Sequence, residues 1–172
     1  MQAEDRAYQE ATVAFYADKP KAIELFRAIA NTDSPHKAAA RYNIANLQAN
    51  SKDVVAARAE ANTILGDPTL SSVHGITQEL LGYIANLEDT PAGWTALIDD
   101  SVKVITAPTK DIVASDKLKA DYGRALNDID YAGIRGKRDD WWLTGTLPAD
   151  ATISKAIFDA SRKYPMAMWM MA

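Results

Sequence analysis

Hydrophobic residues recur at helical spacing along most of the chain. Between residues 20 and 68, three consecutive segments carry apolar side chains three or four residues apart, the spacing of one face of a helix. Turn-forming residues at 31–35 and the Gly-Asp-Pro sequence at 66–68 end two of these segments. Similar spacing continues beyond residue 68. The pattern predicts an all-α protein of about seven to nine helices, arranged as a stack of antiparallel helix hairpins.

The middle one of these segments, about residues 35–50, differs from the helical segments before it. Its apolar residues form two neighbouring rows, and a helix that is apolar over such a wide arc has neighbours on more than one side. The remaining narrow face carries Asn43, Asn46 and Asn50 at i, i+3 and i+7. We therefore predict an inner helix of the stack that keeps one polar face.

Short sequence features recur from helix to helix. The tetrapeptide Ile-Ala-Asn-Leu occurs at residues 44–47 and again at 84–87. Ala22, which is followed by Phe26, and Ala57 occupy like positions in their helices. Over about residues 3–108 the chain resembles the tetratricopeptide repeat family, in which a large–small residue pair marks the first helix of a repeat. The pairs that carry the resemblance are Ile44-Ala45 and Leu81-Gly82.

This resemblance implies a domain organisation and a mode of action. It implies a superhelical stack, the TPR-like α-solenoid, in which each repeat contacts its neighbours and the first helices line a concave face that binds a partner. We assign the repeats to residues 1–108. Residues 109–172 are expected to form C-terminal helices with an irregular tryptophan-containing loop, packed on the repeats.

Asparagine side chains are the first candidates for partner binding. Asn43, Asn46 and Asn50 share one helix face, and the next helix of the same kind adds Tyr83 and Asn86. An asparagine amide carries both donors and acceptors, so a row of them can pair with the backbone of an extended peptide. The alternative is a solvated polar face on which Asn50 only ends its helix.

An irregular stretch at residues 130–150 is the second candidate. It combines glycines and a proline with a basic cluster beside two adjacent tryptophans, and long loops are often functional. Arg and Trp are among the residue types most enriched at binding hot spots, which singles out Arg135, Arg138, Trp141 and Trp142. The alternative is a loop that one tryptophan anchors to the core.

The overall charge narrows the class of partner. The chain has 172 residues, a formal net charge of −4 and a pI of about 5.2. Such a protein lacks the positive field of a general nucleic-acid binder, so the expected partner is a protein or a peptide. No apolar run approaches the roughly 18 residues of a membrane span. The absence of cysteine excludes disulfides and thiolate metal sites.

The two ends of the sequence suggest where the protein is located and whether the native chain is longer. The start is polar and helix-forming, with no signal peptide, which fits a processed N-terminus and favours the periplasm or cell envelope over the cytoplasm. Four methionines lie beside Trp169 in the last seven residues, a formal Cu(I) pattern but one more typical of an apolar terminal helix. We expect this helix to complete the core or the native chain to continue past residue 172.

Catalytic chemistry has little support in the sequence. The two histidines, His36 and His74, belong to different predicted helices. The sequence contains no linear catalytic or metal-binding motif. We therefore predict no catalytic residue, no metal site and no cofactor. The predicted function is a protein–protein interaction scaffold or adaptor. The alternatives are a structural segment of a larger cell-envelope or assembly protein, and an enzyme or metal-binding domain without a linear motif.

Overall fold

The structure, a computed structural model, describes residues 2–106, 116–137 and 151–171. Within these ranges it holds nine α-helices, one 3₁₀ helix and no strand, which confirms the predicted all-α class and helix number. The chain divides into two compact units, Met1–Leu87 (unit one) and Glu88–Ala172 (unit two). The predicted boundary between residues 108 and 109 lies outside the described residues, and the division at that point stays a prediction.

Unit one is built from helices that pack on their neighbours in the chain. Helix α1 packs on α2, α2 on α3, and α3 on α4 and on the 3₁₀ helix. This order is compatible with the predicted stack of hairpins, and the solenoid arrangement itself stays a prediction. The elements are α1 (Gln2–Ala17), α2 (Lys19–Ala30), α3 (Lys37–Asn50), α4 (Val54–Gly66), the 3₁₀ helix (Pro68–Val73) and α5 (His74–Glu88).

Aspartates begin several of these elements. The Asp18 carboxylate accepts a hydrogen bond from the backbone N–H of Lys21 at the start of α2, where Pro20 occupies the first turn. Asp53 caps α4 in the same way, through the N–H of Ala56. These side chains satisfy backbone donors that have no partner within the helix, so they fix where the helices start.

Helix α3 lies between two hydrophobic clusters of unit one. Its Ile44 and Leu47 belong to the first cluster, with residues of α1 and α2. Its Ala45 and Ala49 belong to the second cluster, with residues of α4, the 3₁₀ helix and α5. The wide apolar arc of this helix therefore has neighbours on two sides, as the sequence predicts.

The hydrophobic core of unit two contains a buried tryptophan. Trp94 belongs to a cluster to which each of the four helices described for this unit contributes. The first helix of the unit contacts both the second and the third, so packing is not limited to chain neighbours. The helices are α6 (Pro91–Thr106), α7 (Asp116–Lys137), α8 (Thr152–Ser161) and α9 (Pro165–Met171).

The prediction of an irregular stretch from residue 130 is wrong for its first part, because α7 continues to Lys137. Ala132 is buried in the core of unit two, and its burial stabilises the helical conformation at this point. Gly136 is a packing glycine and not a loop signal: a Cβ placed there would lie 3.1 Å from Cγ2 of Ile157 on α8. The rest of the stretch, residues 138–150, lies outside the described residues.

Candidate partner-binding surface

The asparagine row (Asn43, Asn46 and Asn50) lies along α3, and its first member contacts α1. The Asn43 amide donates a hydrogen bond to the Tyr8 hydroxyl at 3.2 Å, and Asn43 is half-buried. Asn46, also half-buried, accepts a hydrogen bond from the exposed Asn50 at 2.7 Å between Nδ2 and Oδ1. Each amide has more donors and acceptors than one such bond uses, so Asn46 and Asn50 keep capacity for a ligand. Asn43 has a role within unit one.

A second polar group joins α1 to the start of α3. The His36 Nε2 atom lies 2.8 Å from Oδ1 of Asp5, and the His36 ring stacks on Tyr8 with centroids 4.6 Å apart. The backbone N–H of His36 donates to the Ser34 hydroxyl, so Ser34 serves the turn before α3. This group holds α1 in place. The sequence does not predict it, because Asp5 and His36 are 31 residues apart and share no motif.

The exposed side of α5 combines apolar and polar side chains. Tyr83 is 43% exposed and Ile76 41%, and Glu79 and Asn86 are also exposed. These four residues follow one another at i, i+3, i+7 and i+10 and form one helix face, called the α5 face below. The predicted Tyr83 and Asn86 therefore do share a surface. The exposure of Ile76 does not follow from the sequence, since Ile76 fits the apolar stripe of this helix.

Tyr42 of α3 is influenced by a charge on the α5 face. The Tyr42 ring packs against the second cluster, and burial raises the pKa of its hydroxyl above the usual value. The negative charge of Glu79 raises that pKa further. Asn46 follows Tyr42 by one helical turn and lies on the same side of α3. The α3–α5 surface is thus defined as Tyr42, Asn46, Asn50 and the α5 face.

Replacing Glu79 with glutamine is expected to lower the pKa of Tyr42, but not to the usual tyrosine value of about 10, because burial remains. A raised pKa in the folded state means that Tyr42 stabilises the fold fully below its unfolded pKa and loses this contribution as pH rises through its folded pKa. NMR titration of the Tyr42 ring measures the change. Glu24→Gln on α2 is the control, and an unchanged Tyr42 pKa in Glu79→Gln would show that the two groups are not neighbours.

Arg135 lies in unit two and is 9% exposed. Its guanidinium donates two hydrogen bonds to Asp89, from Nε to Oδ1 at 2.6 Å and from Nη2 to Oδ2 at 2.9 Å. The Trp94 indole N–H donates to the same carboxylate at 2.9 Å. Arg135 therefore joins α7 to the start of α6, and its predicted contact with a partner stays a prediction. The other residues predicted from this stretch, Arg138, Trp141 and Trp142, lie outside the described residues.

Searches for similar proteins and for metal sites add no other candidate. No protein-family model, no curated protein and no solved structure matches the chain. Across the described residues, no group of three or more His, Cys, Asp or Glu side chains could hold a metal ion. In the same residues, no helix combines the length and the hydropathy needed to cross a membrane. The function is therefore inferred from the surface of unit one.

Proposed function

We propose that this chain is a protein–protein interaction module and that unit one binds a peptide segment of its partner on the α3–α5 surface. The observation that carries the proposal is the exposure of Tyr83 and Ile76 on the helix face that also carries the amide of Asn86. The apolar groups provide contact area, and the amides of Asn46 and Asn86 provide hydrogen bonds to a peptide backbone. In a tetratricopeptide-like stack, α3 and α5 would be first helices and would line the concave face.

Tyr83 is preorganised for binding, which favours a high affinity. Tyr83 is carried by a helix whose Leu80 and Ile84 are buried in the second cluster, so its backbone is held in place before a partner arrives. A ring on a rigid helix loses little conformational entropy when it is covered, and more of the contact energy then appears as affinity. Tyrosine is also a common hot-spot residue.

The test is peptide selection on the whole chain. Random peptides of about twelve residues are selected from a display library, and their affinities for variants are measured by titration. We expect Tyr83→Ala to weaken binding about tenfold or more, the usual size of a hot-spot effect, and Asn86→Ala to weaken it less. Val55→Ala on α4 is the control, since Val55 is 78% exposed and outside the surface. Failure to select any peptide, or equal affinity for Tyr83→Ala and the wild type, would contradict the proposal.

A second candidate function is a structural one, as a segment of a larger assembly. The observation in its favour is on α9 of unit two, where Trp169 is 80% exposed and Met166 44%, one turn apart. An exposed tryptophan beside a methionine is typical of a contact surface. Sedimentation analysis of the wild type and of Trp169→Ser tests this function. A wild-type assembly that becomes monomeric in the variant would support it. A monomeric wild type would contradict self-assembly through α9.

A further inference from the structure

The α5 face carries a negative charge between its two apolar side chains. Glu79 is exposed, with Ile76 about one turn before it and Tyr83 about one turn after it. Helix α5 contains two glutamates and no lysine or arginine. Its sequence therefore supplies no cation within the helix to neutralise Glu79. The effect of the Glu79 charge on the Tyr42 hydroxyl indicates that its field extends across to α3.

Two basic residues at or next to α3 have partners other than Glu79. Arg41 of α3 forms an ion pair with Glu60 of α4, at 2.8 Å between Nη1 and Oε1. Lys19 donates to the backbone oxygen of Asn50, which follows Tyr42 by eight residues. Eight helical residues correspond to about 12 Å of rise, so the end of α3 that Lys19 contacts lies about two turns from Tyr42.

We propose that the partner segment carries a lysine or arginine between two apolar residues, in the order apolar-x-basic-x-apolar. The proposal rests on the proposed function and specifies the ligand of the same surface. Along α5 the rise is about 4.5 Å from Ile76 to Glu79 and about 6 Å from Glu79 to Tyr83. Alternate residues of an extended peptide are about 6.6 Å apart and point to one side. Three such residues can therefore meet Ile76, Glu79 and Tyr83 in turn.

The chemistry of lysine and arginine suits this surface. Their aliphatic stems cover apolar side chains while the charged group reaches a carboxylate, here that of Glu79. A cation close to the Tyr83 ring also gains a cation–π interaction. An acidic residue at the same place would meet Glu79 with like charge, so the surface selects against acidic segments as well as for basic ones.

Peptide selection on charge-reversed variants tests the inference. Libraries are selected in parallel on the full-length wild type, on Glu79→Lys and on Glu24→Lys. Glu24→Lys has the same change of charge on the exposed side of α2. We expect peptides from the wild type and from Glu24→Lys to be enriched in lysine or arginine flanked by apolar residues. Peptides from Glu79→Lys are expected to be enriched in aspartate or glutamate at that position.

Affinities of the selected peptides give the quantitative result. A wild-type peptide is expected to bind Glu79→Gln about threefold more weakly, Glu79→Lys about tenfold more weakly, and Glu24→Lys within about twofold. Circular dichroism of each variant checks that the helices are retained. Peptides that require Tyr83 but show no preference for basic residues would overturn this inference and leave the proposed function standing. Failure to select any peptide would overturn both.

Discussion

Replacing Phe26 with alanine is expected to lower the free energy of unfolding of unit one by about 3–5 kcal/mol. Phe26 is fully buried in the first cluster, where residues of α1, α2 and α3 meet. The Tyr8 ring stands edge-on to it, with centroids 5.7 Å apart and planes at 62°. The substitution removes the ring, leaves a cavity and takes away the support of Tyr8, which in turn holds Asn43.

Urea unfolding followed by far-ultraviolet circular dichroism measures this loss. Phe26→Leu keeps most of the buried apolar volume, so we expect a cost of about 1 kcal/mol and a variant that still folds. Val13→Ala is the surface control on α1, with an expected change within about 0.5 kcal/mol. A loss below about 1 kcal/mol in Phe26→Ala would show that the first cluster does not depend on this ring.

Arg135→Ala is expected to cost unit two about 2–4 kcal/mol, the second largest effect. The substitution removes both hydrogen bonds to Asp89 and leaves that carboxylate with the Trp94 indole N–H but without the guanidinium. The Asp89 side chain is 36% exposed, so water recovers part of the loss, and the expected cost is below the full value for a buried ion pair.

Tryptophan fluorescence during urea unfolding reports on this change, because all four tryptophans belong to unit two. Arg135→Lys is expected to recover only part of the stability, since one ammonium group does not reproduce the two parallel hydrogen bonds. Lys103→Ala is the control: its ion pair with Asp100 is exposed on both sides and is expected to contribute little to stability. Equal stabilities of Arg135→Ala and Lys103→Ala would contradict a structural role for Arg135.

The helices of this protein could be predicted from sequence because their signals are local. Apolar spacing and prolines at helix starts, such as Pro91 and Pro165, act within one or two turns. The end of α7 could not be predicted in this way. Gly136 has the local signature of a loop, but it lies within α7 and close to Ile157 of another helix. Packing between distant segments overrides local preference at this point.

The candidate surface was predictable in part for the same reason. Periodicity places Asn46 and Asn50 on one face of α3, and Tyr83 with Asn86 on one face of α5. The sequence does not tell which apolar residue of a wide stripe stays uncovered, so the exposure of Ile76 needed the structure.

Contacts between residues far apart in the chain were not predictable. Arg135 meets Asp89 across 46 residues, and Asn43 meets Tyr8 across 35. Spacing along a single helix contains no information about such distances, because they depend on how the helices pack.

The position of α3 between two clusters has a consequence for cooperativity. Local opening of α1 and α2 would expose the first cluster but leave α3 held by the second, through Ala45 and Ala49. Opening of α3 itself would expose both clusters at once and is therefore close in free energy to complete unfolding of unit one. Asn46 thus belongs to the helix that is expected to open last in this unit, and it can keep its place while α1 and α2 open.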